Sequence, residues 1–409
     1  MAASAATATA DTGADPMERH RIEPRPDWQR TVEEQGLIYP LTRFPDDSLR
    51  PYWDESAYYR FTLPEVEALE RTVAELHALC LEAAAHIVEH DRFADLGITD
   101  PAVAALIRSS WIRRAEQPSL YGRFDLRYDG SGPAKLLEYN ADTPTSLIEA
   151  AGPQWFWMEE RFPGADQWNS LHERLVDAWR RQAPLLAPGP VHFAHSEVDQ
   201  LGEDQMTTAY LMETARQAGL QTALISVEDI GWDSLSRRFV DLDLRFIRTV
   251  FKLYPWEWLV SDAFGGNVLE TVDLGGGTGS TCWIEPAWKM LLANKALLAV
   301  LWELNPGHPH LLPAYLDGPR LMKSHVAKPL LGREGAGIAV TEDGVPSGPL
   351  DPEEAYCWQE FAPLPDFDGN RTVLGAWVVD GEPAGLGIRE SAGPITDEYA
   401  RFLPHVILD

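Results

Sequence analysis

The chain has 409 residues, enough for two or three packed units and a large core. Apolar residues make up 45% and charged residues 24%, as in ordinary globular proteins, and the formal net charge is -29. That charge argues against nucleic-acid binding, which needs a basic footprint, and against an anionic membrane surface as a partner. It suits a cationic substrate such as a polyamine, although solubility alone also accounts for it.

The first sixteen residues are small and polar, with neither the charged start nor the apolar stretch of a signal peptide. Residues 1–20 are expected to form a disordered tail, with Met17 as an alternative start. Residues 21–110 are expected to be mainly helical. Between Thr62 and Glu89, Val66, Leu69, Val73, Leu76, Leu79 and Cys80 recur at helical spacing behind Pro64, which suits a first turn. Residues 119–141 read as a hairpin, LYGRFDLRY and AKLLEYNA around DGSGP. Ser146–Arg161 and Asn169–Gln182 read as helices. VHFAHS, a helix from Asp204 to Gly219, and TALISV follow in strand–helix–strand order, which predicts a small α/β unit. Leu274–Ser280 lacks the Lys-Ser/Thr end of a phosphate loop and reads as a flexible connection. Residues 285–305 read as one Trp-rich helix, and the remainder alternates short strands with Gly-rich turns.

Cys80, Cys282 and Cys357 are far apart, with no metal-ligand spacing. They predict neither a disulfide framework nor structural zinc, and they fit a reducing cytoplasm. No apolar run approaches the ~20 residues of a membrane-spanning helix. Lysine occurs only at positions 135, 252, 289, 295, 323 and 328, while arginine carries nearly all other positive charge. A lysine that survives this bias is a candidate for chemistry that needs a compact ammonium.

Strand side chains alternate between faces, so Arg123 shares a face with Asp125, and Glu138 with Asn140. With a turn centred on Ser131-Gly132, Asp125 lies opposite Glu138 and Arg123 opposite Asn140. Two facing carboxylates repel. A Mg²⁺ ion that also holds phosphate oxygens would turn that repulsion into a site. The same pattern is compatible with a solvated strand face, and a slip of one residue breaks it. Phe124, Leu126, Leu137 and Tyr139 fall on the opposite, apolar face. Lys328 precedes the loop GREGAG, which includes Gly335, as in a phosphate cradle. Lys295 is a second candidate cation. Gln359-Glu360 ends an apolar strand, where adenine and ribose could be met. Arg389-Glu390 is bracketed by Gly385, Gly387 and Gly393, the composition of a mobile lid and equally of a surface turn. Eleven scattered histidines form no HExxH, and no GxSxG occurs.

YGRFDL followed by LLEYNADTPTSLIEA resembles the metal-binding segment of the glutathionylspermidine synthase-like proteins. LGEDQMT, FKLYPWEW, KPLLGREGAG and WQEFAPLPDFDG continue the resemblance in order, over roughly residues 18–409. It is nearest to members without the amidase domain, described as acid–amine ligases. The resemblance implies an α/β protein with an ATP-grasp unit in two parts, residues 111–189 and 285–409, flanking a smaller α/β unit at 190–284. It implies a cytoplasmic ligase that uses ATP and Mg²⁺ to join a small-molecule acid to an amine, peptide-like and polyamine-like, through an acyl phosphate. Asp125, Glu138 and Asn140 match magnesium ligands. Arg123 matches an arginine at the transferred phosphoryl group, and Arg389 one on a closing loop. Lys295 and Lys328 match ATP lysines, and Gln359 and Glu360 the adenine hinge. Glu203 and Asp204 match an acidic substrate pair, with Asp204 where the bifunctional synthases carry Glu. The alternatives are a nucleotide-binding protein without ligase activity and an ATP-dependent kinase of a small acid.

Overall fold

The computed structural model describes residues 17–198, 202–273, 275 and 279–408. Most of the expected tail, and residues 274 and 276–278 of the glycine-rich connection, lie outside that set. The tail boundary at residue 20 is corrected. Met17 is buried, and Glu18–Arg21 is a strand paired antiparallel with Ala57–Phe61. An ion pair holds it there, with Arg19 Nε 2.6 Å from the buried Glu390.

The hairpin alternation becomes the edge of the largest sheet. Its strands run in the order Arg401–Leu403, Glu382–Ser391, Asn370–Val379, Tyr121–Arg127, Lys135–Asn140, all antiparallel. One face is apolar, with Phe124, Leu126, Leu136, Leu374, Ala376, Leu386 and Ile388 packed on the long helix Leu63–Glu89. A capping box starts that helix: the Thr62 hydroxyl and Glu65 carboxylate satisfy orphan backbone donors. The opposite face carries Arg123, Asp125 and Arg389.

The register is the one expected, with Arg123 opposite Asn140 and Asp125 opposite Glu138. A bulge follows, because Leu126 pairs with Leu136 and leaves Leu137 as the extra residue. Leu136 therefore takes the core position expected for Leu137, which lines a cleft instead.

A second antiparallel sheet contains the neighbouring strands Tyr356–Glu360, His325–Pro329 and Ala339–Glu342. A parallel sheet runs in the order Cys282–Ile284, Thr249–Leu253, Val191–His195, Thr222–Ser226, with helix Glu203–Gln217 crossing between its last two strands. Parallel pairing requires such a crossover. Among the described residues no helix is long and apolar enough to cross a membrane.

The single helix expected over 285–305 is broken into Met290–Ala293 and Ala296–Leu304. Asn294 adopts an extended conformation, donates to Leu96 O and accepts from Ala296 N. It thereby starts the second helix, so Lys295 sits at a helix start rather than mid-helix. Ser146–Arg161 is likewise two helices, parted at Gly152-Pro153, where proline cannot donate a backbone hydrogen bond.

Candidate functional site

The polar face of the large sheet and the second antiparallel sheet enclose a cleft. Arg123, Asp125, Glu138, Asn140, Lys328, Gly335, Gln359, Glu360 and Arg389 all line it. Lys295 lines an adjoining cavity that shares Asn140, Thr143 and Arg333 with the cleft.

Three sheet strands place the arginine–carboxylate cluster. Asp125 accepts from Arg123 Nε at 2.7 Å and from Arg389 Nη2 at 2.6 Å. Arg123 also donates to Thr145 O at 2.5 Å. Gly375, opposite Asp125 on the next strand, leaves room: a Cβ there would lie 3.0 Å from Arg123 Cδ. Burial lowers the Arg123 pKa, but Asp125 outweighs it and the net shift is upward. The guanidinium is therefore a fixed positive charge.

Glu138 collects the lysines. Lys295 Nζ is 3.3 Å from Glu138 Oε2 and donates to Gly332 O at 2.6 Å. Asn140 Nδ2 donates to Glu138 Oε1 at 2.9 Å. Burial alone raises the Glu138 pKa, but Lys295 and Lys328 overturn that and hold the carboxyl well below its usual range. Lys328 Nζ donates to Leu137 O at 2.7 Å and to Gln359 Oε1 at 2.8 Å. Burial lowers its pKa, against the pull of Glu138.

Four of the six lysines are buried. Lys328 lines this cleft and Lys295 the adjoining cavity. Lys252 pairs with Asp142 at 2.7 Å, and Lys289 with Glu285 at 3.3 Å, both between elements far apart or locally buried. Desolvating an ammonium is costly unless acceptors meet it: Lys252, Lys289 and Lys295 each have a carboxylate, and Lys328 has a carbonyl and an amide oxygen.

Two carboxylates and an amide oxygen on one face suit Mg²⁺, which keeps several waters and shares phosphate oxygens rather than filling an all-protein cage. Among the described residues no group of three or more His, Cys, Asp or Glu side chains is arranged to hold a metal.

The lid expected around Arg389 is corrected. Arg389 lies within the ten-residue strand Glu382–Ser391, paired on both sides. Its glycines provide space rather than freedom. A Cβ at Gly387 would lie 2.9 Å from the Phe402 ring, and one at Gly385 would lie 2.9 Å from Leu171 Cγ. Glu390 points to the other face, where Tyr59, Arg19 and Arg401 hold it.

Gly335 has φ 73°, and a Cβ there would lie 2.8 Å from Thr396 O, so the loop can approach residues 394–396 only with glycine. Arg333 in this loop donates to Thr143 Oγ1 at 2.9 Å and to Glu257 Oε1 at 2.5 Å. Sequence reasoning passed over Arg333 because its partners are 190 and 76 positions away.

Glu203 and Asp204 open the helix Glu203–Gln217 and do not line the cleft. Burial, then Glu149, pushes Glu203 up to about 8, while Thr145 donates to it. Glu149 is fully buried, accepts from Tyr52 Oη at 2.7 Å, and has a raised pKa from burial. It was missed by sequence reasoning, yet it left a signal. It is the one acidic residue in the wholly buried helix Leu147–Ala151, and an acid buried all round needs a reason. Thr145 links the two halves, since its carbonyl holds Arg123 and its side chain meets Glu203.

The family model for glutathionylspermidine synthase preATP-grasp matches residues 19–408. A candidate acid–amine ligase of Haemophilus influenzae is 40% identical over 396 residues, covering 93% of this chain and 97% of the relative. Trypanothione synthetase of Crithidia fasciculata is 28% identical over 89% of this chain, which spans 58% of that enzyme. Among solved structures, a glutathione synthetase-like effector from Globodera pallida aligns with a TM-score of 0.56 at 12% identity, over 93% of this chain and 96% of its own. That likeness carries the fold alone. By the span of the family match and the identity to the Haemophilus relative, the chain belongs to the glutathionylspermidine synthase preATP-grasp family.

Proposed function

We propose that this ligase uses ATP and Mg²⁺ to join a small carboxylic acid to an amine through an acyl phosphate. The observation that carries the reading is the convergence of Asp125, Glu138, Asn140, Lys295, Lys328, Arg123 and Arg389 within one cleft and its margin. On this reading, residues 111–189 and 285–409 form an ATP-grasp unit around the smaller α/β unit at 190–284.

Lys328 and Lys295 meet the nucleotide phosphates, and the exposed Glu360 at the strand end meets the ribose. Asp125, Glu138 and Asn140 would hold Mg²⁺, which would supply charge neutralisation for the phosphates. Arg123 and Arg389 flank the phosphoryl group that moves. A carboxylate oxygen of the acid bonds to the γ-phosphorus, and the bond to the bridging oxygen breaks, releasing ADP. The amine nitrogen then bonds to the acyl carbon, the carbon–oxygen bond to phosphate breaks, and the nitrogen loses a proton. Phosphoryl transfer asks mainly for positioning and fixed charge, and this cleft holds no side chain placed as a nucleophile.

The acidic group Glu149, Glu203 and Asp204 suits an ammonium substrate, of a polyamine-like kind. A cation there replaces the mutual repulsion of Glu149 and Glu203 with attraction. The acid is peptide-like on the same family reading.

The test incubates the purified protein with ATP, Mg²⁺ and panels of acids and amines, reading phosphate release and new masses together. An amide with stoichiometric phosphate supports the proposal. Acyl phosphate or its hydroxamate, formed without any amide, indicates a kinase. ATP binding without turnover across the panels indicates a nucleotide-binding protein.

A further inference from the structure

Gln359 stands where the adenine hinge is expected, but its side-chain amide is already engaged within the protein. It is 1% exposed, and both ends of its amide are engaged. Oε1 accepts from Lys328 Nζ at 2.8 Å, and Nε2 donates to Leu136 O at 3.0 Å. Lys328 itself donates to Leu137 O at 2.7 Å. Two side chains of one sheet thus grip consecutive carbonyls of the strand that carries Glu138 and Asn140.

The bulge makes this grip possible. In a regular strand, consecutive carbonyls point to opposite sides. Here Leu137 is the extra residue, and the local break in alternation turns both carbonyls toward the second sheet. An ammonium has three donors. Leu137 O and Gln359 Oε1 take two of those of Lys328, on a side chain buried to 6% exposure. The direction of the third is then set by tetrahedral geometry.

We propose that Gln359 is a positioning residue that aims the Lys328 ammonium at the nucleotide phosphates and fastens it to the metal-binding strand, and that it does not read adenine. The proposal rests on the ATP reading above. A lysine stem has four rotatable bonds, and holding its head in one place costs entropy unless the protein pays beforehand. The amide does so, and it ties the phosphate cation and the metal ligands into one rigid unit.

The test uses the full chain with two variants, Gln359→Met and Gln359→Glu, and three probes measured by calorimetry: a non-hydrolysable ATP analogue with Mg²⁺, inorganic tripolyphosphate with Mg²⁺, and adenosine. Met keeps the volume and loses both hydrogen bonds. Its affinity for the ATP analogue and for tripolyphosphate should each fall about tenfold to a hundredfold, as expected for one charge-assisted contact, while adenosine binding stays the same. The KM for ATP should rise more than kcat falls. Gln359→Glu keeps the acceptor for Lys328 and should recover much of the tripolyphosphate affinity. In a Lys328→Met background, Gln359→Met should have almost no further effect, because the two act through one contact.

Loss of adenosine affinity or of ATP-over-GTP preference in Gln359→Met would overturn the proposal in favour of adenine reading. Additive losses in the double variant would overturn it in favour of general destabilisation. A wild-type chain that binds neither the ATP analogue nor tripolyphosphate would instead bring down the ATP reading itself.

Discussion

Replacing Asp125 by Asn separates the two charges that meet on this strand. Asp125 accepts three hydrogen bonds, from Arg123 Nε at 2.7 Å, Arg123 Nη2 at 3.2 Å and Arg389 Nη2 at 2.6 Å. Asn keeps the shape and one acceptor, but its amide nitrogen then faces a guanidinium. Two charge-assisted bonds at about 1.5–3 kcal/mol each are weakened or lost. Arg123 remains buried without its counter-charge, which by itself places the cost near the 3–5 kcal/mol typical of a broken buried pair. Water in the cleft reaches Arg389, whose side chain is 19% exposed, so about 2–3 kcal/mol of folding stability is the expected loss. Two ligand measurements then move in opposite directions. With one of two carboxylate ligands gone, Mg²⁺-dependent ATP turnover should fall about a hundredfold to a thousandfold. Without Mg²⁺, inorganic pyrophosphate should bind more tightly than to the wild type, because two guanidinium groups no longer hold a carboxylate. Urea unfolding, steady-state kinetics across a Mg²⁺ series, and metal-free calorimetry read the three effects. A folded variant with unchanged Mg²⁺ dependence and unchanged pyrophosphate affinity would refute both the metal assignment and the electrostatic reasoning.

Arg389→Ala should lower kcat more than it weakens binding of an ATP analogue, and Arg389→Lys should restore it only in part because the planar fork is lost; equal losses in both quantities would remove the arginine from the transition state. Lys295→Met should raise the KM for ATP and, by freeing Gly332 O, speed amide hydrogen exchange over residues 331–337, whereas unchanged exchange would show that the lysine does not brace that loop. Gly387→Ala should cost about 1–3 kcal/mol, because its Cβ would lie 2.9 Å from the Phe402 ring; a neutral result in chemical unfolding would mean that the ring moves aside freely. Glu203 bears on pH. Burial lifts it from 4.5 to about 8, so between those values the folded chain keeps a proton that the unfolded chain has lost. Its contribution therefore makes stability fall as pH rises through that window, and Glu203→Gln should flatten the slope; an unchanged slope in urea titrations at several pH values would sink the assignment. At pH 7 a bound ammonium should also expel that proton, giving a heat of amine binding that depends on the buffer's ionisation enthalpy.

Local periodicity made the polar faces of the hairpin legible. Residues two apart share a strand face whatever surrounds them, so Arg123 with Asp125, and Glu138 with Asn140, follow from spacing once the turn is placed. The capped helix after Thr62 and the strand–helix–strand run through Val191, Glu203 and Thr222 were legible for the same reason. The bulge was not, because one extra residue leaves the pattern of apolar positions almost unchanged while moving Leu136 into the core and Leu137 into the cleft. The break at Asn294 escaped because it depends on Leu96 O, 198 positions away. The glycines around Arg389 misled, since glycine serves freedom and close packing alike, and only the positions of Phe402 and Leu171 distinguish them.

By itself, the sequence determined the acidic composition, the elements with strong periodicity, the family resemblance and the facing pairs of the hairpin. The tertiary structure alone decided that Lys295 and Lys328 converge on Glu138, that Arg389 meets Asp125 across 264 positions, that Glu149 joins Glu203, and that Gln359 serves a lysine. These contacts follow from where whole sheets pack. Packing is set by the summed burial of many apolar side chains, and no short window of sequence contains that sum.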